Sequence, residues 1–92
     1  MNYILDLECD NLLDKVTKIH CIVMKDINTN EVFTDTNVCV EKIKEAKMLI
    51  GHNIIAFDMP VIKKILNIKT KAELFDTLVA TRLIFAHIKE VD

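Results

Sequence analysis

Glycine and proline are almost missing from this chain: one of each, Gly51 and Pro60, in 92 residues. That scarcity argues against disorder and against a loop-rich scaffold. Cysteine is sparse and odd in number, at Cys9, Cys21 and Cys39, with no Cys-x-x-Cys pair. A disulfide framework and a zinc site are therefore set aside, and reduced thiols in a cytosolic compartment are expected. Charge of one sign is also lacking. The formal net charge of -2 does not suit a protein held to nucleic acid by bulk electrostatics. Asp6 and Glu8 interrupt the N-terminal apolar run at once, so no signal peptide is read there. No 18-residue apolar stretch is present to span a membrane, and there is no repeat, linker or low-complexity tract.

Hydrophobic residues, mostly Ile, Leu and Val, make up 51% of the chain. One small packed domain over residues 1–92 is expected, although so short a chain buries only a modest share of its surface. Residues 2–8 read as a strand with Tyr3, Leu5 and Leu7 on one side and Ile4, Asp6 and Glu8 on the other. Residues 17–25 and 31–35 read as two further strands, joined by the turn at Asp26 to Asn30, which suggests an antiparallel meander. The period then becomes helical at Val40, Ile43, Ala46 and Lys47, with Asn37 as the N-cap. Met48 to Ile50, ending at Gly51, reads as a buried strand, and 59–67 as a helix with Pro60 in its first turn. Thr70 and Glu73 match a capping box that would start a helix at once. The preferred alternative is a short strand at 72–75 followed by a helix from Asp76-Thr77, with Leu78, Val79, Leu83 and Ala86 lining one face. The order is then β-β-β-α-β-α-β-α, that of an α/β ribonuclease H-like mixed sheet.

Two segments carry candidate chemistry. Asp6 and Glu8, two apart on a strand, present their carboxylates to one spot. Such oxygens suit a hard cation such as Mg²⁺, but a lone Asp-x-Glu is very common and on its own reads as a polar strand edge. Residues 51–58 (GHNIIAFD) follow a buried strand and end where a helix starts. Asp58 there either completes a carboxylate cluster with Asp6 and Glu8 or caps a helix near Pro60, and Phe57 alone reads as core.

Taken together, Asp-x-Glu on the first strand and His-Asn-x-x-x-Phe-Asp after the fourth make the pattern specific. The chain resembles the DEDD superfamily of 3′→5′ exonucleases. Residues 12–23 (LLDKVTKIHCIV) and 76–83 (DTLVATRL) are similar to the proofreading exonuclease domains of phage-type family A DNA polymerases, as is the position of Asp6 a few residues from the first Met. The resemblance implies the front part of such a domain, C-terminally truncated. It implies Asp6, Glu8 and Asp58 as catalytic carboxylates holding two Mg²⁺ or Mn²⁺ ions. It implies Leu12 as a wedge against the terminal base, and Asn53 and Phe57 as contacts to the 3′-terminal nucleotides of single-stranded DNA. Asp76 and Thr77 match the motif without being metal ligands, and are expected to cap the last helix. A mildly acidic domain is compatible with this, since bound cations reverse the sign of such a site. The location implied is the cytoplasm of a bacterium or of a phage-infected host cell.

The sequence departs from that family at the fourth carboxylate, which comes from a Tyr-x-x-x-Asp or His-x-x-x-x-Asp segment on a later helix. His87 and Asp92 match the letters but lie too close to Asp76 to be expected in that role. An incomplete site is therefore expected, with weak or no activity for the chain alone. Two readings stay open. One is a 3′→5′ exonuclease, alone or completed by a second chain. The other is a non-catalytic ribonuclease H-like module that binds DNA or protein. Missing covering helices would leave an apolar patch and a route to self-association. Lys63, Lys64, Lys69 and Lys71 are expected to form a solvated face rather than a DNA contact.

Overall fold

Alternation along the first strand decides which way the sheet faces. In the computed structural model, which describes residues 1–91 and the side chains of residues 1–86, β1 (Asn2–Cys9) buries Tyr3, Leu5 and Leu7 and leaves Ile4, Asp6 and Glu8 exposed. β2 (Ile19–Asp26) runs antiparallel to β1 and sets Met24 opposite Leu5 and Ile22 opposite Leu7. The short β3 (Val32–Phe33) pairs with the far side of β2. After α1 (Thr36–Glu45), β4 (Met48–Gly51) returns parallel to β1 on its other edge, and Leu49 lies level with Tyr3. A π-helical turn (Ile54–Asp58) runs directly into α2 (Met59–Leu66). β5 (Glu73–Asp76) then pairs parallel to β4 and leads into α3 (Thr77–Val91). The result is a small α/β domain with a mixed five-stranded sheet in the order β3-β2-β1-β4-β5.

One face of the sheet carries the core. Leu5, Ile22, Met24 and Leu49 pack there with Cys39 and Ile43 of α1, Ile54 of the π turn, and Val61 and Ile62 of α2. The other face leaves Ile4 and Val23 substantially exposed beside Asp6 and Glu8. A bulge between Glu8 and Cys9 breaks the β1–β2 register where the strand leaves the sheet. Such bulges bend a strand and re-aim the side chains beside them.

The expected element order is found, with local differences that have physical causes. Asp35, not Asn37, caps α1: its extended backbone lets Oδ1 accept from the Asn37 and Val38 N–H groups. Pro60 stands in the first turn of α2, where its missing N–H costs little. Asn67 closes that helix in the left-handed region rather than extending it. Thr70 starts no helix. Its hydroxyl donates to Ile43 O at 2.7 Å and accepts from Ala72 N–H, which ties the extended segment to the end of α1. In α3 the first turn is tied to Asp76. Leu78 is half-buried, whereas every residue from Thr81 to Ala86 is exposed, so no stripe through Val79, Leu83 and Ala86 is covered. Leu83 and Ile84 of this helix are 67% and 62% exposed. No helix among the described residues is long and apolar enough to cross a membrane.

The chain's single glycine sits at the tightest approach. A Cβ on Gly51 would meet Leu5 O and Ile54 Cβ, each at 3.0 Å. Gly51→Ala must therefore push the β1 backbone or the π turn aside. It is expected to lower the unfolding free energy by about 1–3 kcal/mol, read from the urea midpoint. An unchanged midpoint would show that this contact gives way freely.

Candidate functional site

The candidate carboxylates stand on β1 and at the end of the turn that follows β4. The strand order β3-β2-β1-β4-β5 reverses its direction at β1, and ligands in open α/β sheets favour the crevice where the order reverses. Asp6 and Glu8 stand on the exposed face of β1, as the alternation predicts. Asp58 lies where the π turn passes into α2 and is only 5% exposed. Its side chain makes no capping bond, so it is not simply a helix cap. Burial, reinforced by the negative charges of Asp6 and Asp76 and more weakly of Glu8, pushes the Asp58 carboxyl up to about 7. The segments carrying Asp6, Glu8 and Asp58 are thus within electrostatic reach of one another. They are not drawn together tightly: among the described residues, no three His, Cys, Asp or Glu side chains gather closely enough to hold a metal ion. The donor set is all oxygen, as a hard cation prefers.

Asp76 is the residue whose role the sequence shows least. It caps α3, accepting from Leu78 N–H at 2.9 Å and Val79 N–H at 3.4 Å, as expected. It also accepts from Asn53 N–H at 2.9 Å and Ile55 N–H at 3.1 Å, across the gap between β4 and α2. Burial alone would raise its proton affinity, but these four donors outweigh it and hold the carboxyl below the usual carboxylate range. Thr77 adds a bond to the same segment, with its hydroxyl 3.0 Å from His52 Nδ1. The only sequence hint of this clasp is Asp-Thr directly after the apolar strand residues; its long-range half has no local signature.

The residues expected to touch substrate are distributed unevenly. Leu12 is 70% exposed at the tip of the loop after β1. That loop is latched: the Thr17 hydroxyl, Thr17 N–H and Lys18 N–H all donate to Asp10, holding its carboxyl well below the usual range. Lys64 Nζ of α2 donates to Leu13 O at 2.9 Å, so this lysine supports the loop instead of a featureless solvated face. Asn53 takes the left-handed conformation (φ 65°) and offers its N–H to Asp76. Phe57 is half-buried against the core and leaves part of its ring outside. The side chains of His87 and Asp92 lie outside the described residues. A groove of about 570 Å³ between α2 and the 68–74 segment is lined by Lys63 and Lys69 and by none of Asp6, Glu8 and Asp58.

The chain is 30% identical over 102 aligned positions to the DNA-directed DNA polymerase of Enterobacteria phage T3, and 28% identical over the same length to that of Escherichia phage T7. The chain is homologous to phage DNA-directed DNA polymerases. Each match covers 95% of this chain but only 14% of the polymerase, so the chain spans about one seventh of the length of these relatives. No protein-family model matches it.

The buried Asp58 has a consequence for stability. The folded chain holds this proton more tightly than an unfolded carboxyl of pKa 3.8 does. Its contribution to stability is therefore fully present below pH 3.8 and is lost as the pH rises through about 7. Without divalent cation, Asp58→Asn is expected to stabilise the chain at pH 8 by about 2–4 kcal/mol and to change it little at pH 4, measured by urea unfolding at both values. Equal effects at the two pH values would show that Asp58 does not carry this proton.

Proposed function

We propose that this chain is the front part of a 3′→5′ exonuclease domain of proofreading type, with a ribonuclease H-like fold, acting on DNA 3′ ends. The observation that carries the reading is Asp58 feeling the charge of Asp6 and Glu8 although Asp58 and Asp6 are 52 positions apart (58 minus 6). Homology to phage DNA polymerases supports it, because a polymerase chain is where a proofreading activity is useful. The strand order and the parallel β1–β4 pair are compatible with the fold.

On this reading Asp6, Glu8 and Asp58 would hold Mg²⁺ or Mn²⁺. When bound, such ions supply the positive charge that a phosphodiester requires beside three carboxylates, and the acidity that turns water into a nucleophile. The chain's own residues do the rest. With its carboxyl pushed up to about 7, Asp58 would give up a proton on taking a place beside a cation. Leu12, held out by the Asp10 latch, leans against the terminal base. Phe57 offers its outer ring surface for stacking, a contribution of about 1–3 kcal/mol that is indifferent to base identity. Asn53 fixes the backbone next to it. A frayed or single-stranded end suits a site open to one side.

A second reading is favoured by one observation: no three ligand-type side chains converge among the described residues. It makes the chain a non-catalytic ribonuclease H-like module that binds DNA or a protein partner. The separating experiment is digestion of a 3′-labelled single strand with Mg²⁺ or Mn²⁺, comparing the native chain with Asp6→Ala. Slow, metal-dependent release is expected, at least about tenfold lower in Asp6→Ala. Equal signals from both proteins would sink the enzyme reading and leave the module.

A further inference from the structure

We infer that Asp76 is a positioning residue for Asp58, acting through the turn that joins β4 to α2; the inference rests on the nuclease reading of Asp6, Glu8 and Asp58. A carboxylate that only capped α3 would need the Leu78 and Val79 N–H groups and nothing more. Asp76 is 6% exposed and uses both oxygens. Oδ1 accepts from Asn53, Leu78 and Val79, and Oδ2 accepts from Ile55. Two of its four partners thus belong to a segment more than twenty residues earlier in the chain.

That segment needs holding. Asn53 sits in the left-handed region, a conformation that a residue with a β-carbon adopts only at some cost. Ile54 is fully buried and meets Gly51 at close range, so the turn is fixed on its inner side by packing. Its polar outer side is fixed by Asp76. The π turn that follows ends on Asp58, and its path depends on where Asn53 and Ile55 are pinned. His52, bonded to Thr77, fastens the same segment to the start of α3 a second time.

The two halves of the clasp can be separated by substitution. Asp76→Ser keeps a helix cap but is too short to reach Asn53 and Ile55. Asp76→Glu keeps the charge, but its longer side chain cannot place both oxygens where Asp76 has them. In each variant, amide exchange at Asn53 and Ile55 is expected to accelerate by about tenfold or more, with the β1 and β2 amides still protected. Mn²⁺ affinity, read from paramagnetic broadening of the signals of residues 6–8 and 58, is expected to fall by about tenfold. Wild-type affinity in both variants would reduce Asp76 to a helix cap and overturn the inference. Wild-type affinity in Asp76→Glu alone would assign the effect to charge and overturn it equally. Loss of β1 and β2 protection in both would make Asp76 a residue of the fold rather than of the site. A native chain that binds no Mn²⁺ at all would fail the nuclease reading itself, with the inference falling after it.

Discussion

A single buried carboxylate holds two distant parts of this small domain together. Asp76 ends the last strand, starts the last helix and reaches back to the turn after β4. Main-chain N–H groups at a helix start and in a tight turn have no internal partners and must find them elsewhere. Here one side chain answers both needs. With only 92 residues, the chain has few apolar contacts to spare for fixing loops. A polar clasp at the end of the sheet therefore does what additional packed elements do in larger domains. The π turn, the position of Asp58 and the start of α3 all follow from it.

The site has a cost built into it. Asp58 is buried where three other carboxyl groups raise its proton affinity. Uncompensated charge of one sign in a buried place is unfavourable to folding, and perturbed carboxyls of this kind cluster where proteins do chemistry. The core beneath compensates. Tyr3, Leu5 and Leu7 alternate with Ile4, Asp6 and Glu8, so the strand that exposes the acidic pair also anchors the densest packing. One strand thus serves cohesion on one face and carries the exposed acidic pair on the other.

Much of this was legible in the sequence because it is local. The alternation of residues 3–8, the helical spacing of Val61, Ile62, Ile65 and Leu66, and the single Pro60 gave the element order, and hence the face on which Asp6 and Glu8 stand. What escaped the sequence depended on competition or distance. Asp35 and Asn37 are both able caps, and the backbone at Asp35 decided between them. Thr70 and Glu73 spell a capping box, but the Thr70 hydroxyl is taken by Ile43 O, so no helix begins there. Lys64 looked like one more solvated charge, and only the approach of α2 to the loop after β1 gives it a carbonyl to hold. The long-range half of the Asp76 clasp has no sequence period at all, and neither does the π turn.

The latch on the loop after β1 bears on how this surface can change. Asp10 ties the loop shut on itself through Thr17 and Lys18, and Lys64 fastens its middle from outside. Between those fastenings Val16 and Leu13 pack into the core, and the Leu12 side chain projects at the tip, 70% exposed. Such a loop behaves as a replaceable fingertip. Its exposed tip can be altered while the hand behind it, sheet and carboxylates included, keeps its shape.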